Sequence, residues 1–326
     1  MALLTVFCAA FSIAIAAQSR LVLVSTAWPP FTNAPGQPRF ALDLVEAALG
    51  RLGVTAETRI VGASQFTSSL LRPAFDGSAA AWKDAERERV LIFSQPYLEN
   101  RLVLVGVRGA DTSAKTLADL AGKRVAIVEG YSYGDSITNA GLVLVPSTSE
   151  EDSLTLLLKR AVDYTLMDDL VVQYIVSNYP DEAATRLQIG STPLVTRELY
   201  LALRRSRPDA QSIVTRFNEQ LRSMIADGTY HRLLHVDWIR ADVNGDGLPE
   251  NVARTDRVGA KEPQRVYALF TTPVPAAETT KAKTGFYVGG NIYSDWASVP
   301  ESYKTSSTSD WVDPRRSSGS IFTFKW

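Results

Sequence analysis

A single cysteine, Cys8, serves a chain of 326 residues, and it lies inside an apolar N-terminal run. Everything beyond that run is therefore without a thiol, which excludes disulfides, thiolate catalysis and cysteine-held metal. Histidine is nearly as scarce, with two residues, His231 and His235. Their i, i+4 spacing would put them on one helix face, but no glutamate follows His231 as the metalloprotease pattern requires, and no third ligand is near. A partly exposed helix face is expected there. An excess of charge of one sign is also missing: 34 Lys and Arg stand against 35 Asp and Glu, which leaves no electrostatic footprint for nucleic acid or an anionic membrane. Long apolar runs are absent except for Leu3 to Ala17, which is short of the roughly 20 residues a membrane span needs. Small residues at Ala14, Ala16 and Ala17, ahead of Gln18-Ser19-Arg20, suit signal-peptidase cleavage, although no Lys or Arg precedes the run. Residues 1–17 are expected to be a signal peptide and the mature chain periplasmic. Lipid attachment at Cys8 is disfavoured by the bulky Phe7 beside it.

What is present is an alternation of short β-branched runs with segments of helical period from Arg20 to about Ile239, the pattern of an α/β fold. Leu21 to Ser25 is predicted as the first strand. Phe40 to Leu52 follows as a helix, its apolar Leu42, Val45, Ala48, Leu49 and Leu52 at helical spacing and Gly53 as its stop. Strands are predicted at Arg101 to Val107, Arg124 to Val128, Asp163 to Met167 and Leu199 to Arg204. Helices are predicted at Leu154 to Arg160, Leu170 to Asn178, Asp209 to Ala226 and Tyr230 to Trp238. Residues 240–326 turn rich in Thr, Ser, Pro, Gly, Lys and Asp, with isolated aromatics such as Phe286, Tyr287, Tyr293 and Trp311. They are expected to form a β-rich or partly disordered appendage.

An ordered set of short motifs runs through the α/β part. Ala27-Trp28-Pro29-Pro30-Phe31 follows the first strand, and Phe40-Ala41-Leu42-Asp43-Leu44 opens the first helix. Glu86-Arg87 precedes Phe93-Ser94-Gln95-Pro96-Tyr97. Leu117-Ala118-Asp119-Leu120-Ala121-Gly122-Lys123-Arg124-Val125 comes next, then Val162-Asp163-Tyr164 leading to Asp168, and last Ala226-Asp227-Gly228-Thr229-Tyr230 with Trp238. In this order they resemble the family 3 extracellular solute-binding proteins, the polar amino-acid receptors of ABC importers, over roughly residues 20–239. The resemblance implies a two-lobed, periplasmic-binding-protein-like fold with a hinge and the ligand in the cleft. Residues 18–106 and 194–239 would form one lobe, 107–193 the other, and the crossovers near Gly106 and Pro193 the hinge.

It further implies that Arg87 binds the ligand carboxylate and Asp168 its ammonium. Both types suit the task. Either charged group of a zwitterion costs several kcal/mol to bury alone, a guanidinium holds a carboxylate bidentately, and carboxyl ends of strands in α/β sheets are where ligands collect. Taken by itself, Arg87 among Lys83, Glu86, Glu88 and Arg89 reads as a solvated helix charge. Asp168 and Asp169 compete for the N-cap of the helix from Leu170, and that role is assigned to Asp169. Gly130 and Ser132, in the turn Gly130-Tyr131-Ser132-Tyr133-Gly134, could offer N–H and hydroxyl groups to the carboxylate, or form a plain turn. Phe31 and Trp28 are candidates for stacking on the ligand or for core packing. Trp82, where the family has a small or hydroxylated residue, would wall the cleft and favour a small or flat ligand.

The tail carries Asp242-Val243-Asn244-Gly245-Asp246-Gly247-Leu248-Pro249-Glu250. Oxygens of Asp242, Asn244, Asp246 and Glu250 match a calcium loop, although position 12 is Ala253 and the same residues make ordinary turns. Structural calcium is a candidate there, and no cofactor is expected to be required. The reading is a monomeric, non-enzymatic solute-binding protein for an amino acid, with a membrane permease as partner. A ligand-sensing module acting through a partner, or a dehydratase-like enzyme with Glu129 as its cleft carboxyl, are the alternatives.

Overall fold

The computed structural model describes residues 19–234, 237–244, 246, 248–254, 262–263, 266–268 and 285–304. The expected signal peptide with Cys8, and also His235, Gly245, Gly247 and Trp311, lie outside them.

Among the described residues nine strands form one mixed sheet. Arg20–Thr26 lies between Thr55–Val61 and Gly77–Trp82, parallel to both. At the other end, Arg124–Val128 lies between Val143–Ser147 and Tyr164–Asp168, again all parallel. Two long antiparallel strands, Leu98–Val107 and Leu187–Arg204, join these halves. Gly77–Trp82 pairs with Leu199 to Leu203 of the second, and Tyr164–Asp168 pairs with Leu102 to Gly106 of the first. The partners thus change over Leu98 to Leu102 and over Val195 to Leu199, earlier on the first strand than Gly106 and later on the second than Pro193. Pro193 faces Val103, where the pairing register shifts; a bulge is where a sheet tolerates a residue with no N–H to give.

The half around Arg124–Val128 is covered by Glu150–Leu158, which buries Leu154 and Leu157, and the half around Arg20–Thr26 by helices that bury an apolar face. Phe40–Arg51 buries Leu42, Leu44, Val45, Ala48 and Leu49, and Ala210–Ala226 buries Ile213, Val214, Phe217, Leu221 and Met224 on one stripe. The result is the two-lobed α/β fold that the motif order implies.

Past the helix Thr229–Leu234, the chain begins a second sheet rather than continuing helical. Trp238 opens the strand Trp238–Ala241 instead of ending a helix, because Trp238 to Ala241 pair antiparallel with Glu250 to Ala253. Five strands make this sheet among the described residues, including the hairpin of Phe286–Val288 and Asn291–Tyr293 turned by Gly289 and Gly290. Trp238, Phe286 and Trp296 pack on one another at 5.6 to 6.0 Å. Part of the tail is therefore β-rich, as its aromatic content suggests.

Candidate functional site

Arg87 stands on a six-residue helix, Ala85–Val90, whose N-cap is Asp84; the cap carboxylate accepts the backbone N–H of Arg87 at 2.8 Å. That helix turns the guanidinium inward, so that Arg87 is 2 % exposed and is no solvated helix charge. Its Nη1 donates to the Trp82 carbonyl at 2.8 Å, and its Nη2 to the Thr67 hydroxyl at 3.1 Å and to the Gly130 carbonyl at 3.4 Å. Phe66 lies beneath it at 5.4 Å, and Asp84 Oδ2 is 3.3 Å from Nε. Nε completes no hydrogen bond, its contact with Asp84 being an ion pair only. Burial lowers the Arg87 pKa, Asp84 opposes this, and the nearby Arg197 adds to it; the group stays charged. Burial acts upward on Asp84, yet the Arg87 N–H, the Ser132 hydroxyl and the Arg87 charge hold it below its usual value.

The opposite wall comes from the turn after Arg124–Val128. Ser132 donates to Asp84 at 2.5 Å, Tyr131 meets the Thr26 hydroxyl at 3.4 Å, and the Gly130 carbonyl accepts from Thr67 at 3.3 Å. Gly130 is glycine for a stated reason. Its φ is +80°, and a Cβ there would stand 2.7 Å from the Ala63 carbonyl oxygen, so only hydrogen lets the two walls meet this closely. Between them lies a cavity of about 30 Å³ lined by Trp28, Trp82, Arg87, Gly130, Tyr131 and Ser132, among others. Space of that size holds only one or two waters. A larger guest would need the lobes parted or a ring displaced.

Aromatic rings fill most of the cleft. Trp28 and Trp82 meet edge to face at 5.6 Å, and Tyr131 lies 5.7 and 5.6 Å from them. Tyr133 is 5.5 Å from Trp82. Phe31 is buried against Trp28 at 4.5 Å and lies behind the cavity wall rather than in it.

Asp168 is fully buried and also sits one layer back. The Trp82 indole N–H donates to Asn100 Oδ1 at 2.8 Å, and Asn100 Nδ2 donates to Asp168 Oδ2 at 2.9 Å. Trp82 and Asn100 thus stand between Arg87 and Asp168. The other oxygen of Asp168 accepts the Leu170 N–H at 2.8 Å. Asp168 is therefore the N-cap, and the assignment of that role to Asp169 is corrected: a cap side chain reaches the N–H two or three residues on, and Leu170 is two beyond Asp168 but adjacent to Asp169. Burial, then the Asp169 and Glu150 carboxyls, push Asp168 well above the usual carboxylate range against the pull of Asn100 and Leu170.

Glu150 was not singled out from the sequence; Glu129 was, and it is exposed. Glu150 opens the helix Glu150–Leu158 behind the cap Ser149 and is 4 % exposed. Burial raises its carboxyl to about 8, with the Trp28 indole the one group drawing it down. The signal was the Ser149-x-x-Asp152 start, which marks a helix N-terminus but says nothing of its burial.

With this geometry in place, comparison with known proteins is decisive. The model of the bacterial extracellular solute-binding proteins, family 3, matches residues 21–240, well over half of the chain. The chain belongs to that family. A crystal structure of an arginine-binding protein of T. maritima is 26% identical, with a TM-score of 0.55 over 67% of this chain and 94% of the other. The family fold recurs in the GluR0 ligand-binding core of Nostoc punctiforme in complex with L-glutamate, at 20% identity and a TM-score of 0.55 over 65% of this chain and 96% of that one. ABC transporter arginine-binding protein 1 of Escherichia coli is 24% identical over 216 residues, 64% of this chain and 86% of that protein. Membrane-bound lytic murein transglycosylase F of Desulfosudis oleivorans is 27% identical over 256 residues, 76% of this chain. The chain spans about half of that longer relative, 52%.

The family match ends where the second sheet begins. There Asn244 Oδ1 accepts the Asp246 N–H at 2.9 Å, Asp246 Oδ1 accepts the Leu248 N–H at 2.8 Å, and Glu250 accepts the Val243 N–H at 3.2 Å. Among the described residues no group of three or more His, Cys, Asp or Glu is gathered as a metal site. His231 is fully buried, not on an exposed face, and its Nε2 lies 3.1 Å from the Val252 carbonyl, so it ties the last helix to the tail sheet. No helix among the described residues is long and apolar enough to cross a membrane.

Proposed function

We propose that this family 3 protein captures an amino acid between its lobes in the periplasm and delivers it to an ABC-type permease, without chemistry of its own. One observation carries the reading: a guanidinium 2 % exposed lines the cavity between the lobes. A buried cation at a cavity suits an anionic group such as a carboxylate. Ser132 and the backbone around Gly130 face it from the other wall. Asp168 receives the ammonium once Trp82 and Asn100 give way. The arginine-binding relatives support an amino acid as cargo.

Thermal-shift screening against amino acids, followed by product analysis of every hit, tests this. Stabilisation without turnover is expected in the wild type, with loss of stabilisation in Arg87→Met. Turnover of a hit, or undiminished binding by Arg87→Met, would overturn it.

A further inference from the structure

The family match stops at residue 240, yet the sheet beyond it is fastened to the lobes at two places. The first is the helix Thr229–Leu234 and the core beside it. Ile239, Ala241 and Val252 are buried in the same continuous core as the two halves of the main sheet, and the Val252 carbonyl lies 3.1 Å from His231 Nε2. The second is the hinge. Arg101 stands opposite Thr196, inside the stretch where the two crossing strands change partners. Its Nη2 donates to the Val266 carbonyl and, at 2.9 Å, to Glu99 on its own strand. Both side chains are 15 % exposed, so water and salt screen these charge-assisted bonds only weakly. Val266 leads into Tyr267–Ala268, which pairs with Ile239 and Arg240 of the tail sheet and lies against the crossing strand Leu98–Val107.

Arg101 also touches the network behind the cleft. Its backbone N–H donates to Asp168 Oδ2 at 3.2 Å, the oxygen that Asn100 also engages. Successive side chains of a strand point to opposite faces, so Asn100 meets Trp82 on one face while Arg101 meets Val266 on the other. Closure of a two-lobed protein is absorbed by backbone rotation in the few residues that cross between the lobes. Rotation there swings the long Arg101 side chain, and a hydrogen bond tolerates little displacement of its donor. We propose that Val266 to Ala268 form a strap across the hinge, bonded to Arg101 while the lobes are together and released as they part. The tail sheet thereby favours closure, and by reciprocity closure fixes the strap. No particular guest is needed, so the strap goes beyond the amino-acid reading and does not depend on it.

The test uses the full chain with no compound added. Spin labels on Gln65→Cys and Ser136→Cys, exposed positions beside Arg20–Thr26 and after Arg124–Val128 respectively, in a Cys8→Ser background, report the lobe separation by pulsed electron resonance. The labelled parent should show a predominant short distance. Arg101→Met should raise the ratio of long to short distances at least about threefold, and Arg101→Lys, which keeps a charged donor, should restore part of the short population. His231→Leu loosens the tail without touching the crossing strand and should shift the ratio in the same direction. The two shifts should not add in the double variant, because both act through the tail. From the other side, Gly130→Ala should speed hydrogen exchange in the peptide carrying Tyr267 and Ala268 while Glu250–Ala253 stays protected. If Arg101→Met does not fold, His231→Leu and the exchange measurement decide. A parent with its lobes already apart, an unchanged separation in either variant, or exchange at Tyr267 and Ala268 indifferent to Gly130→Ala would overturn the strap. Failure of amino acids to bind would count against the proposed function and leave the strap standing.

Discussion

Replacing Glu150 by glutamine should make the protein more stable, and increasingly so as pH rises. Burial carries this carboxyl from 4.5 in the unfolded chain to about 8 in the fold. Below both values the acid is protonated in either state and contributes no difference. Between them the unfolded chain sheds its proton while the folded chain keeps it, so stability falls with increasing pH; above both, the loss is complete. At about 1.4 kcal/mol per pKa unit, the full loss is on the order of 5 kcal/mol, a large share of the 5–15 kcal/mol by which domains are typically stable. Glutamine keeps the shape of the neutral acid and cannot ionise. Urea unfolding of both proteins from about pH 5 to about pH 8, without ligand, should therefore give curves that diverge toward the alkaline end, the variant above. Asp168, also pushed upward by burial, titrates in both proteins and largely cancels in the comparison. A stability difference that is constant across this range would refute the claim that the fold holds Glu150 neutral.

Three further outcomes follow from the cleft and the tail. Gly130→Ala should hold the lobes apart, since its Cβ would stand 2.7 Å from the Ala63 carbonyl; small-angle scattering should show a larger radius with saturating ligand, and affinity should fall. Trp82→Phe keeps the ring but removes the donor to Asn100. It should cost about 1–3 kcal/mol in chemical unfolding, the usual penalty for an orphaned buried acceptor. His231→Leu, by removing the polar contact with the Val252 carbonyl, should leave the two-lobed part folded while the tail sheet becomes open to limited proteolysis.

Strong patterns read true and quiet ones did not. The apolar run Arg124–Val128 and the helix from Phe40 appear almost as expected, because a fully buried strand and an amphipathic stripe both write themselves into composition. Gly77–Trp82 was missed: Gly, Ser and three alanines have little strand preference, and only burial on both faces makes them the middle of a sheet. The strand leading to Arg204 was read from Leu199 alone, since Gly190 and Pro193 look like breaks although the chain passes through them in a bulged pair. At the site, Arg87 and Trp28 were singled out through motif resemblance, Trp82 as a departure from it, and Gly130 and Ser132 from a glycine-bearing turn; all five line one cavity. The Trp82–Asn100–Asp168 chain was not legible, because it joins residues from three strands that only the sheet order brings together. Glu150 was hidden for the same reason: local spacing announces a helix start, while burial against Trp28 is decided by lobe closure.

Arg87 is proposed to hold the carboxylate of the ligand. Calorimetric titration of the wild type with an amino acid that binds, set against the same compound with its carboxylate converted to a neutral amide, isolates that contact. Replacing a charge-assisted bidentate pair by a neutral one should weaken binding by at least about tenfold in the wild type, and by far less in Arg87→Met. Equal affinity for acid and amide in the wild type would contradict it.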